Sequence, residues 1–296
     1  MTRKSKPSDT GGKSPDGSHL AAGLYILATP IGNARDITLR ALETLKGCDV
    51  IAAEDTRVTA KLLAIHGISK PLIPYNDHNG AQMRPKILAR LEQGQAVALV
   101  SDAGTPLVSD PGYKLVREAI AAGANIVALP GPSAVLAGLA LSGLPTDRFL
   151  FAGFLPSKAG MRKSMLEELG GVRATLIFFE SAQRLEDSLP ALVEVLGDRQ
   201  AVVARELTKL HEEARRGRLR ELAVHYAKAG APKGEVTLLV APPDVAASPG
   251  SARIDAALKA ALAFMPVKAA AEMIANLTDG SRTALYARAL ELKDGD

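Results

Sequence analysis

The residues best suited to chemistry lie in the run Ser101-Asp102-Ala103-Gly104-Thr105-Pro106-Leu107-Val108-Ser109-Asp110-Pro111-Gly112. It follows the apolar stretch Ala96–Val100 and precedes a helix-like pattern from Tyr113 to Ala122. Small residues let a backbone approach a ligand closely, and prolines fix its path. Open α/β sheets bind ligands at strand ends of this kind, so the run reads as a ligand-binding loop. A second constellation, Glu54-Asp55-Thr56-Arg57, closes another apolar stretch. Paired carboxylates beside an arginine can assist proton transfer or orient a substrate. They read equally as a helix cap with local ion pairing, Thr56 being the capping residue. His78, in Asp77-His78-Asn79, could exchange a proton near neutral pH or be merely solvated.

Further candidates sit at other strand ends. Thr29-Pro30-Ile31-Gly32-Asn33 forms a tight turn after the first apolar run. It is not G-x-G-x-x-G, and no G-x-x-x-x-G-K-[ST] follows any strand, so neither a dinucleotide nor a triphosphate fingerprint is present. Pro130-Gly131-Pro132-Ser133-Ala134 opens a helix, while Phe178-Phe179-Glu180-Ser181 and Arg205-Glu206-Leu207-Thr208-Lys209 close later strands. The run Arg215-Arg216-Gly217-Arg218-Leu219-Arg220 reads as a solvated face or as a phosphate-contacting arm. His66, His211 and His225 lack metal-site spacing.

The elements that must hold these groups alternate in type. Strands are expected at Leu24–Ala28, Val50–Ala53, Leu72–Tyr75, Ala96–Val100 and Asn125–Leu129. Helices are expected at Ile37–Leu45, Thr56–Ile65, Ala81–Leu91, Tyr113–Ala122 and from Ser133 to about Leu141. Such β-α alternation predicts a largely parallel sheet covered on both faces. Gly143-Leu144-Pro145-Thr146-Asp147 reads as a junction. Beyond it, strands at Phe149–Phe154, Thr175–Phe179, Ala201–Leu207 and Glu235–Ala241, helices at Arg162–Leu169 and Leu185–Leu196, and a hairpin arm at Glu212–Leu222 predict a mixed sheet. Pro242–Ser251 reads as a linker. Ile254–Phe264, Val267–Ile274 and Arg282–Glu291 read as three short helices, either a helix-turn-helix or a plain cap. The expected division is a disordered tail (1–22), two α/β domains (23–144 and 145–242) and a helical domain (252–296).

The chain has 296 residues, 47% of them hydrophobic, enough for two cores. With 4% aromatics and no Trp, a base-stacking platform is not evident. The net charge of +4 permits an RNA partner without requiring one. A single cysteine, Cys48, excludes an internal disulfide. No stretch approaches a membrane span and the polar head lacks a signal-peptide core, so a cytoplasmic location is expected.

Taken in order, the motifs Thr29–Asn33, Ala53–Arg57, Ser101–Gly112, Leu129–Ala134, Gly153-Phe154-Leu155-Pro156, Phe179–Ser181, Arg205–Lys209 and Lys233-Gly234-Glu235 resemble the tetrapyrrole-methylase-like family of S-adenosylmethionine methyltransferases. Within it they resemble most the branch that methylates the ribose 2′-oxygen of a decoding-centre cytidine in 16S ribosomal RNA. The resemblance spans residues 22 to 242, and the last three helices are similar to that branch's small extra domain. It implies two α/β domains with the cofactor, S-adenosylmethionine, in the cleft between them, and a homodimer. Carried over motif by motif, it implies cofactor contacts from Pro30, Ala103, Gly104, Thr105, Val108, Ser133, Ala134, Phe179, Glu180 and Leu207, and no metal. The tetrapyrrole enzymes have Gly-Asp-Pro where this chain has Gly104-Thr105-Pro106, which turns the expectation from a tetrapyrrole toward ribosomal RNA. Transfer to a 2′-hydroxyl requires a proton acceptor, for which Glu54, Asp55 and His78 are the candidates, with Arg57 orienting substrate and Arg215–Arg220 contacting phosphates. The alternatives are a tetrapyrrole-type small-molecule methyltransferase and a non-catalytic RNA-binding protein.

Overall fold

A computed structural model of the chain describes residues 20–230, 233–243, 249–278 and 280–294. The expected tail, apart from residues 20–22, and the middle of the expected linker lie outside these residues. The chain forms two compact units: one runs to Ala137 and also includes Glu206–Glu212, and the other comprises Gly138–Arg205 and everything from Glu213 onward.

The first unit is built on five strands, β1 (Gly23–Leu27), β2 (Val50–Ala53), β3 (Leu72–Pro74), β4 (Ala96–Val100) and β5 (Ile126–Leu129), in the order β3-β2-β4-β1-β5. Every pairing is parallel. Between them run α1 (Leu39–Gly47), α2 (Thr56–Ile65), α3 (Gly80–Glu92) and α4 (Tyr113–Ala121), and α5 (Ala134–Ser142) follows β5. All residues of β2 and β4 are buried, as expected of central strands covered on both faces. One face packs Leu27, Leu45, Ile51 and Leu63, the other Leu24, Ile87, Val97 and Leu115. The order creates a switch point: β1 and β4 are neighbours, but the chain leaves β1 toward β2 on one side and leaves β4 toward β5 on the other. Loops diverging at such a point open a crevice at the carboxyl ends of the strands. The N-cap of α2 is Asp55 rather than Thr56, its carboxylate accepting from the Arg57 backbone N–H. A carboxylate with β-region backbone caps as well as a hydroxyl does.

The second unit carries β6 (Phe149–Phe154), β7 (Thr175–Ser181), β8 (Gln200–Arg205), β9 (Glu213–Arg218) and β10 (Glu235–Val240), ordered β6-β7-β10-β8-β9. Only β6–β7 is parallel; the other pairings are antiparallel, giving the expected mixed sheet. α6 (Ala159–Leu169), α7 (Leu185–Leu196) and α8 (Leu219–Ala229) complete its main core around Phe178, Leu189, Leu222 and Leu238. The expected strand Ala201–Leu207 stops at Arg205. The expected hairpin arm is half strand: from Leu219 the chain turns into α8, which sequence reasoning missed although Leu219, Leu222 and Tyr226 are buried at helical spacing. The arginine-rich run just before it masked that period. α9 (Pro249–Leu262), α10 (Val267–Thr278) and α11 (Arg282–Asp294) pack Leu258, Ile274, Leu285 and Ala289 into a small core of their own, with Arg288 bonded to both oxygens of Asp255.

Candidate functional site

In the first unit, the loops after β1, β4 and β5 converge. Thr29 and Gly104 form an isolated two-way bridge, Thr29 N–H to Gly104 C=O at 2.8 Å and Gly104 N–H to Thr29 C=O at 2.9 Å. The Thr29 hydroxyl donates to Ser101 C=O at 3.1 Å, and the Thr105 hydroxyl donates to Pro132 C=O at 3.2 Å. Pro30, Ala103, Gly104, Thr105, Ser133 and Ala134 are therefore gathered on three loops flanking the switch point, and Val108 is tied to them through its N–H on Thr105 C=O at 3.3 Å. Gly104 has φ +78°, the left-handed region. Leu107 (φ 74°) and Ser109 (φ 64°) share that region without being glycine. Such strain persists only where surrounding structure enforces it and concentrates at functional loops.

A fourth segment closes the set. Glu206–Glu212 continues from β8 yet belongs to the first unit. The Asn33 N–H donates to the Thr208 hydroxyl at 3.1 Å. A Cβ on Gly32 would collide with the Lys209 side chain and lie 3.0 Å from Leu207 C=O, so only glycine permits this approach. Glu206 (φ 51°) and Thr208 (φ 65°) are again left-handed. Leu207 is buried in this segment. Sequence reasoning read it as the end of a strand in the second block.

The acidic candidates stand at the ends of β2 and β4. The Asp55 N–H donates to Asp102 Oδ1 at 2.9 Å, and the Asp102 N–H donates to Glu54 Oε2 at 3.2 Å, so carboxylates latch the two strand ends. Asp55 also pairs with Arg57 at 2.6 Å, and these bonds hold its carboxyl down at about 2. Burial pushes the Glu54 carboxyl up, reinforced by the charges of Asp102, Asp77 and Asp55. Burial likewise raises Asp102. Asp110, which sequence reasoning left inside the loop without a role, is the most perturbed of them. Burial raises it to about 6, the Glu54 and Asp102 charges adding to the effect and a bond from Ser101 opposing it. His78 is exposed on the loop after β3.

The remaining candidates lie in the second unit. Phe179 makes edge-on contacts with Phe151 and Phe154, at 4.7 and 5.5 Å between ring centres. The Glu180 side chain is fully buried and committed internally: it accepts from Ser188 Oγ at 2.5 Å and from Ser181 N–H at 2.8 Å, and it pairs with Arg184 at 3.1 Å. In the basic run, Arg215 pairs with Glu213, Arg216 donates to Ser142 C=O and Leu141 C=O at the end of α5, and Arg218 donates to Asp198 C=O. These three guanidiniums thus have structural duties whatever else they do. Among the described residues no group of three His, Cys, Asp or Glu is placed to hold a metal ion. No described helix is long and apolar enough to cross a membrane.

Comparison with known proteins agrees with this architecture. The model of the family Tetrapyrrole (Corrin/Porphyrin) Methylases matches residues 23–223, and that of the RsmI C-terminal HTH domain matches residues 248–293. A Mesorhizobium japonicum protein named ribosomal RNA small subunit methyltransferase I is 56% identical over 276 residues, covering 93% of this chain and 94% of that protein. An Escherichia coli O157:H7 protein of the same name is 46% identical over 270 residues, covering 90% and 94%. Among solved structures, a diphthine synthase aligns with a TM-score of 0.58 at 18% identity, over 74% of this chain and 89% of that one. A uroporphyrin-III-C-methyltransferase from Thermus thermophilus aligns at 0.54 and 21%, over 74% and 94%. The chain belongs to the tetrapyrrole (corrin/porphyrin) methylase family and ends in an RsmI-type C-terminal helix-turn-helix domain.

Proposed function

We propose that this protein is an S-adenosylmethionine-dependent methyltransferase acting on small-subunit ribosomal RNA, at the ribose 2′-oxygen of a decoding-centre cytidine. The observation that carries the reading is the convergence at the switch point of three small-residue loops and the Glu206–Glu212 segment, several of whose residues are held in left-handed backbone. Relatives 45–56% identical, named as ribosomal RNA small subunit methyltransferases, support the substrate class.

The loops fit the cofactor. Gly104 supplies the left-handed backbone at the bridge to Thr29 and Gly32 lets the Leu207–Lys209 backbone close on the first turn, and the loops offer main-chain amides and carbonyls for its polar parts. Pro30, Ala103, Gly104, Thr105, Val108, Ser133, Ala134 and Leu207 would hold it. Bound S-adenosylmethionine supplies a methyl group already activated on a sulfonium. The protein's task is then to align the acceptor oxygen, a contribution that can reach several kcal/mol, and to take its proton. Among the three acid–base candidates, Glu54 suits that role best: its carboxyl is half-buried and raised, whereas the Arg57 pair makes Asp55 a weak base. Arg57, whose side chain is 86% exposed, remains able to meet substrate while holding Asp55.

Small subunits from a strain lacking this protein, incubated with it and methyl-labelled cofactor, should incorporate label at one 16S nucleotide, found by ribose-methylation mapping. Label at a base atom or on another RNA would refute the reading. Glu54→Gln should lower kcat by about 10²–10⁴-fold, the range of general-base contributions, while calorimetry shows cofactor affinity retained. An unchanged kcat would remove Glu54 from the role.

A further inference from the structure

Beside the cofactor loop, the first unit has a pocket of about 150 Å³ that the reading above does not use. Its walls include Tyr75 and Asp77 from the segment after β3, Arg84 of α3, Asp110 of the loop, and Tyr113 and Lys114 at the start of α4. Ser101 connects this pocket to the converging loops. Its hydroxyl lies 3.4 Å from both Ala103 C=O and Gly104 C=O, and it is also bonded to the Asp110 carboxylate. Asp110 is thus one side chain away from the backbone proposed to hold the cofactor.

Size and charge limit what can enter. Pockets for whole small-molecule ligands start at about 300 Å³, so this one suits a single ring rather than a macrocycle. Arg84 is already engaged by Glu118 at 2.9 Å and by the Tyr75 hydroxyl. The lining therefore holds two carboxylates, Asp110 and Asp77, and one further cation, Lys114, with Glu54 and Asp102 close enough to act on Asp110. Beside Asp110 a neutral ring bearing an amino donor is favoured, because carboxylates accept from the exocyclic amine of cytosine. Tyr113 and Lys114 form the solvent-facing side of the pocket. Lys114 is exposed, and Tyr113 is 64% exposed with the Arg117 guanidinium 5.8 Å from its ring centre. An exposed aromatic among cations suits a splayed single strand, one group meeting phosphate and the other a neighbouring base.

We propose that this pocket receives the base of the acceptor nucleotide, an amino-bearing pyrimidine turned out of the RNA. Asp110 is its specificity-determining acceptor, and Lys114 and Tyr113 hold the adjoining strand. The inference rests on the reading of the protein as a ribosomal RNA methyltransferase. It places substrate and cofactor on opposite ends of one loop, Ala103–Thr105 for the cofactor and Asp110–Gly112 for the base.

The test uses unmodified small subunits carrying either cytidine or uridine at the mapped nucleotide. The wild type should favour cytidine by about ten- to a hundredfold in kcat/KM, the discrimination typical of one base-edge contact. Asp110→Asn presents an amide that can also donate, so it should lose that preference and shift toward uridine, with cofactor affinity by calorimetry unchanged. Lys114→Ala should weaken equilibrium binding of subunits without cofactor, lowering the salt slope by about one, and leave the base preference intact. If Asp110→Asn keeps the wild-type preference while still binding cofactor, the pocket proposal is wrong. Should Asp110→Asn fail to bind cofactor, the same comparison with Tyr113→Ala and Lys114→Ala decides, and wild-type RNA binding in both overturns it. If the wild type labels no ribosomal RNA, it is the underlying reading that fails.

Discussion

Asp110 is a carboxyl that folding makes harder to ionise, and this has a thermodynamic signature. Its folded value of about 6 lies above the ordinary 3.8. Between those values the folded state keeps a proton that the unfolded chain releases, so stability falls as pH rises through this window, and the full deficit persists above it. Asp110→Asn, which never ionises, should raise stability near pH 8 by about 1–2 kcal/mol after allowing for solvent screening. The gain should vanish near pH 4, as urea titrations at the two pH values would reveal; an equal gain at both would contradict the linkage. Asp55 has the opposite sign: held at about 2 by Arg57, it adds stability above the ordinary carboxylate range and loses it in strong acid. The difference between these two aspartates was not legible in the sequence. Asp55 announced itself by its neighbour Arg57, two positions away, whereas Asp110 is raised first by burial, which only the fold creates, and then by charges that include Glu54, brought near by the pairing of β2 with β4. The candidate Glu180 shows the converse: its place after an apolar strand was readable, but its burial against Ser188 and Arg184 required the fold.

At the scale of elements, the loops carry what the strands cannot. The strands of the first unit were legible because their apolar runs are short and bounded by Gly, Pro or Asp, and the alternation with helices dictated a parallel sheet. Their order was not, because adjacency of β1 and β4 is a tertiary fact. Gly104 is the point where that adjacency is tied down. Gly104→Ala meets only ordinary contacts, Ile31 Cγ2 at 3.4 Å, so its cost should be conformational, about 1–2 kcal/mol for a left-handed alanine, with weaker cofactor binding in calorimetry. The Thr208 clamp makes a sharper comparison. Thr208→Ala removes the acceptor for Asn33 N–H and should cost about 1 kcal/mol together with cofactor affinity. Thr208→Asn should be tolerated, because asparagine accepts left-handed backbone and can still accept a hydrogen bond. Unchanged stability and cofactor affinity in Thr208→Ala would show that the hydroxyl does not hold the turn. The overlooked α8 has the same lesson in reverse: a helix period was present in Leu219, Leu222 and Tyr226, but β9's arginine-rich run led directly into it.

At the scale of the molecule, the net charge is only +4, and in the second unit Arg215, Arg216 and Arg218 are internally engaged. Reversing Arg216 would therefore disturb the end of α5 as well as any phosphate contact. Arg220 is exposed, and its backbone N–H rather than its guanidinium bonds Asp198. Arg220→Glu is the cleaner probe and should lower RNA affinity at low salt with thermal stability unchanged; unaltered affinity would mark this run as a solvated face. Finally, Glu206–Glu212 gives the first unit an order of assembly. Its last segment is synthesised roughly 70 residues after Ala137, an interval of about 4–14 s at ordinary translation rates. During that time the turn at Gly32 and Asn33 emerges without its partner. A nascent chain paused before Glu206 should already protect β1, β2 and β4 from proteolysis yet leave that turn open, so competence to bind a methyl donor would arrive late in synthesis and in one step.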